Sequence, residues 1–198
     1  MTDVLQRNQF LVEESGAFRA AYSFDIRDPE SHETLMACRE PPLTGLTRLL
    51  RFSDLKRTTP FRLDVTATDG QSLMRISRGI PIAVSRVEVF DRDGVPIGGF
   101  RQKPFSISGA FDVLDARGEQ VCRLKGKATG TTFEFETQDN VVLARILKQW
   151  AGMRKELLTT ADHYLLSIEE AVPDDPTIRS LILASAICVC MVVKFRLP

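Results

Sequence analysis

A chain of 198 residues with 43% hydrophobic and 26% charged residues has room for one packed domain and the composition of an ordinary globular protein. Its 26 basic and 26 acidic residues cancel, which excludes attraction of the whole molecule to nucleic acid or to an anionic membrane; any such partner must be held by a local patch. Cys38, Cys122, Cys188 and Cys190 form neither a disulfide framework nor a zinc-ligand spacing. MTDVLQRNQF lacks the apolar core of a signal peptide, so the expected setting is reducing and cytoplasmic, with residues 1–198 forming a single domain and a monomer.

Taken in order, QFLVE (9–13) before Ser15-Gly16 reads as a strand and a turn. A unit then returns five times: an alternating apolar run, a turn, and a second alternating run ending in a basic residue. The copies are 22–39, 61–78, 86–103, 111–127 and 133–148. Their turns fall at Asp28-Pro29, Asp69-Gly70, Asp93-Gly94, Arg117-Gly118 and Asp139-Asn140, where residues tolerant of positive φ are wanted. A hairpin that buries one face cannot stand alone, so the copies must share a core. With the first strand and a last one at HYLLSIEE (163–170), this predicts a mainly β fold of about a dozen antiparallel strands. A closed barrel leaves no edges to protect.

Two stretches break the rhythm. LTGLTRLLRFSDLKRTTPFR (43–62) has leucines at helical spacing among Arg48, Arg51, Lys56, Arg57 and Arg62, and Trp150-Ala151-Gly152 precedes MRKELLTTAD. The chain ends in IRSLILASAICVCMVV (178–193), apolar from Leu181 onward except at Ser185. A helix apolar on all sides must be enclosed by something. A bilayer needs roughly 20 apolar residues, whereas about 10 to 14 suits a buried core helix. Arg179 on one side, and Lys194 and Arg196 on the other, prevent lengthening, since each charge costs about 2.5 to 3.5 kcal/mol near the membrane centre. Asp174-Asp175-Pro176-Thr177 starts this helix well, with Asp175 as cap. The expectation is that Leu181, Ile182, Leu183, Ala184, Ile187, Cys188, Met191 and Val192 fill the barrel interior. Cys188 and Cys190 diverge by about 200° on a helix and read as core rather than as a pair.

FDIRDP, FRLDVTATDG, LARILKQWAG (143–152), TTADHY (159–164) and the apolar terminal helix together resemble the phospholipid scramblase and LURP-one-related superfamily, from about Asn8 to Arg196. The resemblance implies a tubby-like fold of twelve antiparallel strands closed around a C-terminal helix. It also implies engagement of phospholipid: peripheral binding of an anionic phospholipid or phosphoinositide on the inner membrane face, with lipid movement between leaflets as the further activity. The family's proposed calcium motif precedes the terminal helix. Here that stretch reads TADHYLLSIEEA (160–171), which leaves Asp162 and Glu169 as a thin calcium set, because calcium wants six to eight oxygens. No other cofactor is expected.

Among the residues themselves, Arg48, Arg51, Lys56, Arg57 and Arg62 are the candidate headgroup contacts, at about 1 kcal/mol for each basic residue near an anionic leaflet. The bland alternative is a solvated loop. His32 and His163 lack a nucleophile motif, and Lys127-Ala128-Thr129-Gly130 is not a phosphate-binding loop, so no enzyme is expected. The second functional reading is a soluble tubby-like interaction module that binds protein partners and moves no lipid; nucleic acid is not an expected partner.

Overall fold

The structure is a computed structural model that describes residues 4–15, 21–45, 47, 59–80, 86–102, 110–126, 131–149 and 163–193. Twelve strands close into one antiparallel barrel: β1 (Gln9–Glu14), β2 (Ser23–Arg27), β3 (Thr34–Arg39), β4 (Phe61–Ala67), β5 (Ser72–Arg78), β6 (Arg86–Asp91), β7 (Pro96–Gln102), β8 (Phe111–Asp115), β9 (Gln120–Gly126), β10 (Thr132–Glu136), β11 (Val142–Gln149) and β12 (His163–Ile168). Each strand pairs with its sequence neighbours, and β12 closes the ring on β1 with Gln9 opposite Ser167 and Glu13 opposite His163. The five sequence units are the five hairpins. The last strand stops at Ile168, so Glu169 and Glu170 belong to the turn that follows rather than to two faces of a strand.

Four of the hairpins share one turn. The amide of Gly70, Gly94, Gly118 or Asn140 donates to the carbonyl three residues back, at 3.0, 3.1, 3.0 and 3.1 Å. Each of these residues has positive φ, from 62° at Asn140 to 84° at Gly70. That is a type I turn followed by a left-handed residue, and the register slips by one at each of the four. Asp91 and Asp115 brace their turns, each side chain accepting two amides at 2.8 and 2.9 Å. In the first hairpin the left-handed residue is His32, at φ 59°, rather than the Asp28-Pro29 pair; Asp28 Oδ1 accepts the Glu30 and Ser31 amides instead.

Because every hairpin turns at the same end, the barrel has a turn end and a loop end, the longer connections all leaving from the latter. Helix α1 (Pro176–Val193) starts at the turn end and runs down the interior. Leu181, Ile182, Leu183, Ala184, Ile187 and Met191 are buried and Cys188 partly so, within one core with inward-facing Phe10, Ile26, Leu63, Ile76, Val89, Phe135, Ile146 and Leu166. Val192 is helical, but its side chain lies outside the described residues. As the apolar pattern requires, this helix is enclosed by protein.

The helix start is built as its sequence suggests. Asp175 Oδ1 accepts the Thr177 amide at 2.7 Å, with Pro176 in the first helical position. Arg179, however, is not a solvent-facing end charge: it is buried, and its guanidinium donates to the Gln6 and Arg7 carbonyls and to Asn8 Oδ1, at 3.3, 3.1 and 3.0 Å. Those carbonyls close a short 3₁₀ turn, Val4–Gln6, so Arg179 ties the N-terminal segment to the helix that plugs the barrel. Ser185, the other interruption, is quiet because its hydroxyl donates to the Leu181 carbonyl at 2.7 Å.

Candidate functional site

Net charge is zero, yet the charge is not spread evenly. The six connections at the turn end, 28–33, 68–71, 92–95, 116–119, 137–141 and 169–175, carry eleven acidic residues and only two basic ones, Arg92 and Arg117. The rest of the chain must therefore hold a basic excess of the same size. The N-terminus of α1, the positive end of its dipole, sits at the acidic end, which stabilises the arrangement. The long connections leave from the other end.

The barrel wall between the ends is held by ion pairs between adjacent strands. Glu13 receives Arg27 Nε at 3.1 Å, Arg39 reaches Asp25, Arg75 Nε lies 3.1 Å from Asp64, Lys125 reaches Glu136, and Arg145 Nε lies 3.4 Å from Glu134. Outward positions that alternate between charges of opposite sign make a water-facing wall. A barrel crossing a bilayer would show lipid an apolar band there.

Of the headgroup candidates, Arg48, Arg51, Lys56 and Arg57 lie outside the described residues. Arg62 is described: it opens the outer face of β4 and is held by Asp64, with Nη2 3.2 Å from Oδ2. The other four belong to the connection from β3 to β4, which departs from and returns to the loop end. The structure thus shows Arg62 committed to a strand-borne ion pair.

The calcium candidates flank a strand in sequence. Asp162, itself outside the described residues, immediately precedes β12, and Glu169 immediately follows it. The six residues of β12 between them in sequence, at about 3.3 Å each, span about 20 Å from one end of the strand to the other. Glu169 is paired with Arg145 and lines a shallow open cleft of about 480 Å³ at the turn end, together with Asn8, Gln9, Ser167 and Glu170. Among the described residues no group of three or more His, Cys, Asp or Glu is placed to hold a metal ion.

His163 faces outward on β12 but is buried, with Nδ1 2.9 Å from Glu13 Oε1. Since Arg27 holds the same carboxylate, the trio braces β12, β1 and β2 where the ring closes. The four cysteines are free, three of them buried and Cys188 partly so. Burial pushes the Cys38 thiol far above its usual range, and those of Cys122 and Cys188 up to about 12. Thiols so protonated are poor nucleophiles and ligands. Trp150 lies outside the described residues.

The residues that sequence reasoning passed over are Arg86, Arg101 and Arg123, which stand in one row across β6, β7 and β9 with Asp112 of β8 among them. They are scattered over nearly forty positions of sequence, so only the strand register brings them together.

A protein-family model described as Scramblase matches residues 5–193 of this chain. Human phospholipid scramblase 2 is 26% identical over 122 residues, which cover 54% of this chain and 41% of that protein. Human phospholipid scramblase 1 is 25% identical over 119 residues, covering 53% of this chain and 37% of that protein. The aligned region thus spans about two fifths of these relatives' own length. An X-ray structure of a protein from Arabidopsis thaliana superposes with a TM-score of 0.54 over 93% of this chain and 91% of that one; at 12% identity the likeness is one of fold.

Proposed function

The chain belongs to the scramblase family, and from that membership we propose that it binds anionic phospholipid peripherally, at the inner face of a membrane, with the loop end of its barrel turned toward the lipid. The observation that carries this reading is the acidity of the turn end. Turn-end connections with eleven acidic and two basic residues are repelled by an anionic leaflet, and the basic excess carried by the rest of the chain favours the opposite orientation. The relatives' name supplies the lipid class, and the basic residues Arg48, Arg51, Lys56 and Arg57, in a connection that leaves from the loop end, suit the same partner.

Movement of lipid between leaflets is the finer activity that the family name suggests. One observation favours a second reading, a module that binds at the surface and moves no lipid. Helix α1 is consumed in filling the barrel, and no described helix is long and apolar enough to cross a membrane.

Vesicle flotation tests the binding. The expected result is recovery of the chain with vesicles containing phosphatidylserine or a phosphoinositide and little with phosphatidylcholine alone, the binding weakening as salt screens it. No flotation at low ionic strength contradicts the proposal. Dithionite quenching of labelled lipid in proteoliposomes then separates the two readings: exchange faster than in empty vesicles supports transport, and equal rates support surface binding alone.

A further inference from the structure

The geometry points to a phosphate-binding site on the outer wall of β6–β9 at the loop end, formed by Arg86 and Arg101 with Arg123 beside them. In the register of β6 and β7, Arg86 stands directly opposite Arg101. Both point outward and both are exposed. Side chains so opposed have Cβ atoms about 4.5 to 5.5 Å apart, and like charges in that relation destabilise a sheet. Elsewhere on the wall a basic residue has a carboxylate on the strand beside it, as Arg27 has Glu13 and Arg39 has Asp25.

The nearby carboxylates do not repair this pair. Asp112, only 6% exposed at its side chain, is shared between Arg101 Nη2 at 3.7 Å and Arg123 Nε at 3.4 Å. Glu88 shares the outer face of β6 with Arg86 but lies opposite Gly99 and Ser77, and it is ion-paired with neither Arg86 nor Arg101. Among the described residues no carboxylate lies at ion-pair distance from Arg86. Asp112 lies between Arg101 and Arg123, and Glu136 of β10 stands opposite Arg123; the guanidinium groups of Arg86 and Arg101, facing each other across β6 and β7, are what turn positive charge to solvent. A phosphate monoester carries close to two negative charges and takes paired N–H donors from arginine, so it meets the site in both charge and geometry.

A lipid headgroup is the favoured source of that phosphate. Ile80, 75% exposed, lies in the connection from β5 to β6 at the loop end, and an exposed apolar side chain at the same end as the arginines suits the headgroup boundary. The lipid source rests on the peripheral reading given above; the phosphate site itself stands on the register and the ion pairs.

Arg86→Glu is the decisive variant, because among the described residues no carboxylate is ion-paired with Arg86 and the new carboxylate would face Arg101. The full chain is assayed by flotation on phosphoinositide vesicles and by the shift in melting temperature with soluble inositol hexakisphosphate. The variant is expected to melt no lower than wild type while losing affinity for both probes by roughly tenfold or more, as reversal of one charge near an anionic surface implies. Arg92→Glu, at the turn end, is expected to float as wild type does. If wild type floats and Arg86→Glu floats equally well, the site is overturned while the peripheral reading survives. If wild type does not float but inositol hexakisphosphate stabilises it and not the variant, the site stands with a soluble phosphate and the peripheral reading fails. Binding of neither probe by wild type overturns both.

Discussion

Ile187→Asp is expected to leave no cooperatively folded protein. Ile187 is wholly buried at the centre of α1, as is Ala184 one turn before it, and the helix lies inside a closed ring of inward-facing apolar side chains. Removing the isoleucine bulk alone costs about 2 to 5 kcal/mol. An unpaired carboxylate in that interior adds several kcal/mol more, whether it is ionised or takes up a proton to avoid ionising. The sum reaches or exceeds the roughly 5 to 15 kcal/mol that stabilises a typical domain. Insoluble expression, or a soluble chain without a cooperative melt, is the predicted result, and Ala184→Asp should behave the same way. Ile187→Val, which keeps the shape at about 1 kcal/mol, should melt cooperatively only a few degrees lower. A soluble Ile187→Asp protein melting near wild type would show that the helix is not enclosed.

Gly98→Ala is expected to lose about 2 to 4 kcal/mol, through one methyl group on β7. Gly98 has φ 147°, a conformation that side-chain-bearing residues rarely adopt. A Cβ there would lie 2.3 Å from the Leu114 carbonyl oxygen and 3.1 Å from Leu181 Cδ2. The first contact is with backbone, which cannot rotate away, and the second is with the helix itself. At this size a loss of that order lowers the melting temperature by roughly 5 to 15 °C. Thermal unfolding checks it, and a shift under about 2 °C would mean that β7 and α1 approach less closely than described. Gly94→Ala gives a useful contrast, since no atom lies within 4 Å of the added Cβ and only the left-handed backbone is penalised, by about 1 to 2 kcal/mol.

These two sites mark the boundary of what the amino-acid sequence makes legible. Four of the hairpins are legible because their turns carry Gly, or Asn at Asp139-Asn140, at the point of reversal, and a turn residue acts locally. The enclosed helix is legible because its apolar run is too short for a bilayer and too apolar for a surface. Gly98 is not legible. It reads as a weak spot in a strand until the helix is placed against it. Arg179 misleads in the same way, because its partners are carbonyls some 170 residues away.

The arginine row is hidden for a related reason. The sequence offers headgroup candidates as a run, Arg48 to Arg62, and the structure commits Arg62 to Asp64. Arg86, Arg101 and Arg123 sit on three strands and become neighbours only through a register that the turns and bulges set. The acidity of the turn end is a topological property. It was present in the composition of the turns, yet it carries meaning only once every turn is known to lie at one end.

Labelling of the cysteines by an alkylating reagent, on chain recovered with anionic vesicles, tests most directly whether the protein works from the membrane surface with its helix still inside the barrel. Cys38 and Cys122 lie in the barrel core, and Cys188 and Cys190 lie on α1. Vesicle-bound chain labelled at neutral pH should keep its thiols protected to the same degree as the free protein. Flotation accompanied by rapid labelling of Cys188 and Cys190 would show that the helix leaves the barrel to enter the lipid, and would contradict the account.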